Sequence, residues 1–147
     1  MPDTLERILS EKEKKILFVG IGNLLRKDDG AGAYISSNIV NRNNISALTA
    51  EVSIENYIGK INTLRPDILV LIDAVDMGSQ PGIHKILNIN EIADTTFNTH
   101  NISLKRISEF FKMELLVLGI QPEKIDFGEN MSYLVKNEAD KLIKVIN

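Results

Sequence analysis

The chain has 147 residues, 44% hydrophobic and 25% charged, with a formal net charge of -3; this fits one ordinary soluble domain able to bury its own core. A net negative chain has no sequence-independent grip on nucleic acid, which needs a clustered positive face. The absence of cysteine excludes disulfides, thiolate metal sites, iron–sulfur ligation and a cysteine nucleophile.

Residues 3 to 14 read as a short charged helix with Leu5, Ile8 and Leu9 on one face. It is expected as an accessory element (residues 1–15) ahead of the domain proper (residues 16–147). The N-terminus lacks the apolar stretch and small-residue cleavage site of a signal peptide. No apolar run approaches the ~20 residues of a bilayer span. The expectation is a cytoplasmic protein with no membrane insertion and no nucleic-acid partner.

Ile16 to Ile21 is a continuous apolar run, the signature of a strand buried on both faces. Gly22-Asn23 ends it, and Gly30 to Asn41 follows at helical spacing, with Ala33, Ile35 and Ile39 facing the core. A weaker strand covers Leu48 to Ile54. A short helix over residues 55 to 65 stops before Pro66, which disfavours helix in the residue preceding it. Ile68 to Ile72 is the clearest buried strand and runs into Asp73. Ile83 to Ile89 alternates, with Ile83, Lys85, Leu87 and Ile89 on one side and His84 on the polar side, at the surface. Residues 94 to 101 form a polar loop. A helix from Ser103 to Lys112 presents Leu104, Ile107, Phe110 and Phe111, Leu115 to Ile120 is a further buried strand, and a last helix covers Ser132 to Val145.

Strand, helix, strand, helix, strand, strand, helix, strand, helix predicts a single-domain three-layer α/β/α fold with a mostly parallel central sheet of about five strands. Sites in such sheets lie beyond the carboxyl ends of the strands. Three places qualify: the turn after the first strand, with Asp28 and Asp29; the strand end at Asp73; and the loop with His100. The acidic turn has a plain alternative, because carboxylates at a helix start serve as caps. Asp73 ends the most hydrophobic strand, where a carboxylate is costly unless paired, capped or bound to metal. Asp76 reads as a turn stabiliser. Two carboxylates and an imidazole would suit zinc, nickel, iron or manganese better than calcium.

Other schemes fit worse. Gly20-x-Gly22 follows a strand, but Leu25 stands where a dinucleotide fingerprint has its third glycine. There is no Gly-x-Ser-x-Gly elbow and no His-Glu-x-x-His. A phospho-acceptor receiver domain also pairs acids after the first strand with an aspartate after the third. It would want Lys-Pro where Gln121-Pro122 stands, and its acidic pair would sit directly at the strand end.

Four segments together resemble the nickel-dependent hydrogenase maturation endopeptidases. They are Gly22-Asn23-Leu24-Leu25-Arg26-Lys27-Asp28-Asp29-Gly30-Ala31-Gly32, Asp73-Ala74-Val75-Asp76-Met77-Gly78, Thr99-His100-Asn101-Ile102-Ser103-Leu104 and Leu118-Gly119-Ile120-Gln121-Pro122, in family order from about residue 16 onward. The second and fourth look closest to the branch that processes hydrogenase 3, of the formate-hydrogenlyase type. The resemblance implies an endopeptidase that removes the C-terminal extension of a [NiFe] hydrogenase large-subunit precursor once nickel is inserted. It matches Asp29, Asp73 and His100 to the family's metal-recognising, catalytic residues and Asp28 to a neighbouring acid that is not a ligand. It implies nickel held in the substrate, at a site able to take other divalent metals such as zinc or cadmium. The expected partner is the precursor alone, bound by a monomer. A non-catalytic metal or maturation chaperone using the same triad is the alternative. One departure stands out: the family's Asp-Gly-Gly before the second helix is replaced here by the stretch Ala50 to Asn56, without the glycine pair.

Overall fold

The computed structural model describes residues 3–92 and 104–147. Five strands form one sheet: β1 (Ile16–Ile21), β2 (Ile45–Glu51), β3 (Ile68–Ala74), β4 (His84–Asn88) and β5 (Glu114–Ile120). Their order is β2-β1-β3-β5-β4. All neighbours run parallel except β4, which is antiparallel to β5. The helices are α1 (Leu5–Leu9), α2 (Ala31–Ser37), α3 (Ile58–Leu64), α4 (Leu104–Ile107) and α5 (Tyr133–Ile146).

The continuous apolar runs of β1, β3 and β5 follow from burial on both faces, since successive side chains point to opposite sides. Ile16, Phe18, Ile68, Val70, Ile72, Leu116, Leu118 and Ile120 pack in one core with residues of α1, α2 and α5. Leu17, Val19, Leu69, Leu71 and Val117 pack in the other with Ile54, Ile61, Leu104 and Ile107. The same parity puts Asp73, after Leu69 and Leu71, on the α3/α4 side of the sheet.

Several boundaries differ from the sequence expectation. The N-terminal helix is confined to Leu5–Leu9, capped by the Thr4 hydroxyl accepting from the Arg7 amide. Leu5 and Ile8 belong to the first core, so the segment is built into the domain. β2 starts at Ile45, pairing from Ile16↔Ile45 onward; its polar Ser46 and Thr49 mask an edge strand. α4 is a single turn that tightens to a 3-10 turn at Ser108–Phe110. Phe110 is therefore exposed rather than on the buried face, and the extended Phe111 turns into the core instead. α3 ends as expected before Pro66, with Arg65 in the left-handed region at φ 51.

Candidate functional site

β1 gives way at Gly22, whose φ of 129 suits glycine; a β-carbon there would lie 1.9 Å from the Asp29 carbonyl oxygen. The chain then makes a loop and a 3-10 turn at Lys27–Gly30 before entering α2. Gly32, in the first turn of α2, rests on the sheet: a β-carbon would lie 2.1 Å from the Ile72 carbonyl oxygen and 2.4 Å from that of Ile21. These contacts bring the acidic turn down over the carboxyl ends of β1 and β3. The turn packs against β3, the strand that ends in Asp73-Ala74. Asp28 and Asp29 are fully buried and Asp73 is 1% exposed.

The two acids of the turn have different work. Asp28 Oδ2 accepts from the amides of Glu123 and Lys124 at 2.8 and 2.9 Å and from the Ser132 hydroxyl at 2.8 Å, and Oδ1 accepts from the Ser132 amide at 2.7 Å. Its carboxylate is thus occupied in holding the 123–132 segment onto the turn. The Asp28 amide returns a bond to the Lys124 carbonyl at 2.9 Å, and Lys27 and Leu25 pair with Gly128. Asp29 Oδ2 accepts from the Asn23 amide at 3.0 Å. The N-cap positions of the 3-10 turn and of α2, Arg26 and Gly30, make no side-chain cap bond. The bonds of Asp28 go to the 123–132 segment, so capping the helix that follows it is not its role.

Asp76 accepts from the Gly78 amide at 3.1 Å, the turn-stabilising role its setting suggested. The less expected residue is Gln121, 7% exposed, directly after β5. Its Oε1 accepts from the amides of Met77 and Ser79 at 2.6 and 3.2 Å, and its Nε2 donates to Asp76 Oδ1 at 3.2 Å. Gly-Ile-Gln-Pro was visible as a motif, but nothing in the sequence tells which loop the amide holds. Where the family's glycine pair is missing, Glu51 takes a positive φ of 53 and its carbonyl accepts from the Gly22 amide at 2.8 Å. His84, expected at the surface, is half-buried with Nδ1 2.5 Å from Glu138 Oε2 on α5.

His100 lies outside the described residues, as does the polar loop expected over 94–101. Among the described residues, no three His, Cys, Asp or Glu side chains are grouped so as to hold a metal ion. The structure brings Asp29 and Asp73 to the same edge of the sheet. α4, which follows the His100 segment in sequence, contributes Leu104 and Ile107 to the face Asp73 is on. No helix among the described residues is long and apolar enough to cross a membrane.

A family model described as hydrogenase maturation protease matches residues 34–147. The hydrogenase 3 maturation protease of Escherichia coli is 32% identical over 126 residues, 82% of this chain and 81% of that protein. A putative hydrogenase maturation protease of Methanocaldococcus jannaschii is 30% identical, over 90% of this chain and 86% of that protein. The crystal structure of a [NiFe] hydrogenase maturation protease from Thermococcus kodakarensis superimposes with a TM-score of 0.82 at 28% identity, covering 97% of this chain and 95% of that one.

Proposed function

The chain belongs to the hydrogenase maturation protease family and is an endopeptidase, and from that premise we propose that it removes the C-terminal extension of a [NiFe] hydrogenase large-subunit precursor after nickel insertion. Asp29, Asp73 and His100 recognise the nickel, which arrives as part of the substrate. The observation that carries this reading is the pair of buried acids, Asp29 and Asp73, at the neighbouring carboxyl ends of β1 and β3. Asp28 is committed to backbone amides, in keeping with the family resemblance, which assigns Asp29 as the acid of the turn that meets substrate.

Carboxylate oxygens and an imidazole nitrogen form a borderline donor set suited to nickel and equally to zinc or cadmium. The substrate's nickel supplies Lewis acidity toward the scissile carbonyl or a water. The chain's own residues orient that centre. Asp29 is held by the Asn23 amide, and Asp73 by its place in the β3–β5 ladder opposite Gly119. Such a site needs no protein nucleophile, in keeping with a chain that has neither cysteine nor a serine elbow.

The test is incubation with nickel-loaded and nickel-free precursor, reading the precursor's C-terminus by mass spectrometry. Shortening of the loaded form alone is expected. Asp29→Asn, Asp73→Asn and His100→Ala should each lower the rate by at least about 100-fold, on the scale of losing one preorganised electrostatic group. Equal cleavage of both precursors would remove nickel recognition. Full activity in the variants would remove the residue assignment.

A further inference from the structure

β3 ends at Ala74, and the chain leaves Asp73 through a segment without regular secondary structure over residues 75–79. Such a segment, next to a buried carboxylate at a strand end, has no ladder to fix it beyond the Val75 amide, which donates to the Ile120 carbonyl at 3.0 Å. Val75 is buried in the core and Met77 packs against it, and the polar groups of the segment converge on one side chain. Gln121 Oε1 takes the amides of Met77 and Ser79 together. Gln121 Nε2 reaches Asp76 Oδ1 at 3.2 Å and the Pro122 carbonyl at 3.4 Å. Asp76 Oδ1 in turn accepts from the Gly78 amide. The backbone of Gln121 is fixed as well: its amide donates to the Ile83 carbonyl at 2.8 Å and its carbonyl accepts from Gly82 at 2.9 Å. One carboxamide thus joins the exit of β3 to the end of β5, while its backbone carries the entry to β4.

We propose that Gln121 is a positioning residue for the protease reaction, its carboxamide setting the 75–79 segment that forms the wall of the site beside Asp73. This rests on the reading of Asp73 as a site residue. The clamp needs a double acceptor and a donor in one planar group. A carboxylate of the same shape keeps the acceptor side and loses the donor, so it faces the Asp76 carboxylate with no proton between them. An amide at position 76 would remove the like charge from that contact, although turning its nitrogen toward position 121 would give up the bond from the Gly78 amide, since one oxygen of Asp76 serves both.

The test uses the full chain and nickel-loaded precursor, with kcat and KM measured for wild type, Gln121→Glu, Asp76→Asn and the double variant Gln121→Glu/Asp76→Asn. Gln121→Glu is expected to lower kcat by about 10- to 100-fold with KM within about twofold, the signature of misplacement rather than lost binding. Asp76→Asn alone should stay within about threefold of wild type, because its amide oxygen still accepts from Gly78 and Gln121. The double variant should recover part of the lost kcat, because the like-charge contact is gone. Hydrogen exchange gives a readout apart from activity: the Met77 and Ser79 amides should be protected in wild type and exchange faster in Gln121→Glu. An unchanged kcat in Gln121→Glu, no recovery in the double variant, a loss that only follows the unfolded fraction, or unprotected Met77 and Ser79 amides in wild type would each overturn the proposal. Failure of wild type to cleave the precursor would instead overturn the function on which it rests. The exchange result would still report whether the clamp exists.

Discussion

Neighbouring acids of identical chemistry and burial are separated in role only by what reaches them. Asp28 receives three backbone amides and a hydroxyl from residues 123–132, and hydrogen bonds to a charged group contribute about 1.5–3 kcal/mol each. Asp28→Ala would strand the amides of Glu123, Lys124 and Ser132. Water entering the gap would satisfy some of them, so the expected loss is about 3 kcal/mol, read from urea unfolding. An unchanged midpoint would mean that the 123–132 segment holds itself. The presence of acids after β1 and β3 was legible in the sequence, because fold logic points to strand ends. Which of Asp28 and Asp29 belongs to the site was readable only through the family resemblance, and what Asp28 does instead was not readable at all: its partners lie about a hundred positions along the chain, beyond the reach of any local pattern. The same distance hid the clamp of Gln121 on Met77, 44 residues away.

Among the elements, those buried on both faces were legible and those at the margins were not. β1, β3 and β5 carry uninterrupted apolar runs because both faces are covered. β2, an edge strand with half-buried polar residues, blurred by three residues at its start, and the apolar spacing that suggested a helix to Lys112 ran past Ile107, where α4 tightens to a 3-10 turn. One contact between elements has a pH signature. The Tyr34 hydroxyl on α2 donates to Asp140 Oδ1 on α5 at 2.6 Å. That bond, aided by Lys136, holds the Asp140 carboxyl below its ordinary 3.8. The same bond to Asp140, with burial, raises the Tyr34 hydroxyl above 10.0. The Asp140 contribution is therefore present above pH 3.8 and lost as pH falls through the lower folded value. The Tyr34 contribution is present below pH 10.0 and lost as pH rises through the higher folded value. The difference in thermal midpoint between wild type and Tyr34→Phe should be flat between roughly pH 5 and 9 and narrow at both extremes. A difference that ignores pH would mean that the bond is not what ties α2 to α5.

Over the whole molecule, the N-terminal segment joins the core that the remaining chain builds. Ile8 is fully buried and Leu5 is 1% exposed. Asn44, just before β2, donates to the Glu11 and Lys14 carbonyls at 3.1 and 2.7 Å, fastening the segment that follows α1. Ile8→Ala should cost about 3 kcal/mol and lower the thermal midpoint by roughly 10 °C, whereas a detachable appendage would lose nothing measurable. The sheet order has a further consequence, in time rather than in space. β4 precedes β5 in the chain, yet among the described strands β5 is its only partner in the sheet. The β1, β2 and β3 ladders can close as soon as residue 74 has formed, while β4 must wait, unpaired, through α4 until β5 inserts beside β3. Non-local pairing of this kind is slow and leaves a bare strand edge meanwhile. Pulse-labelled refolding should therefore protect the amides of β1 before those of β4, and it is in this interval that a nascent chain is most exposed to sticking to its neighbours.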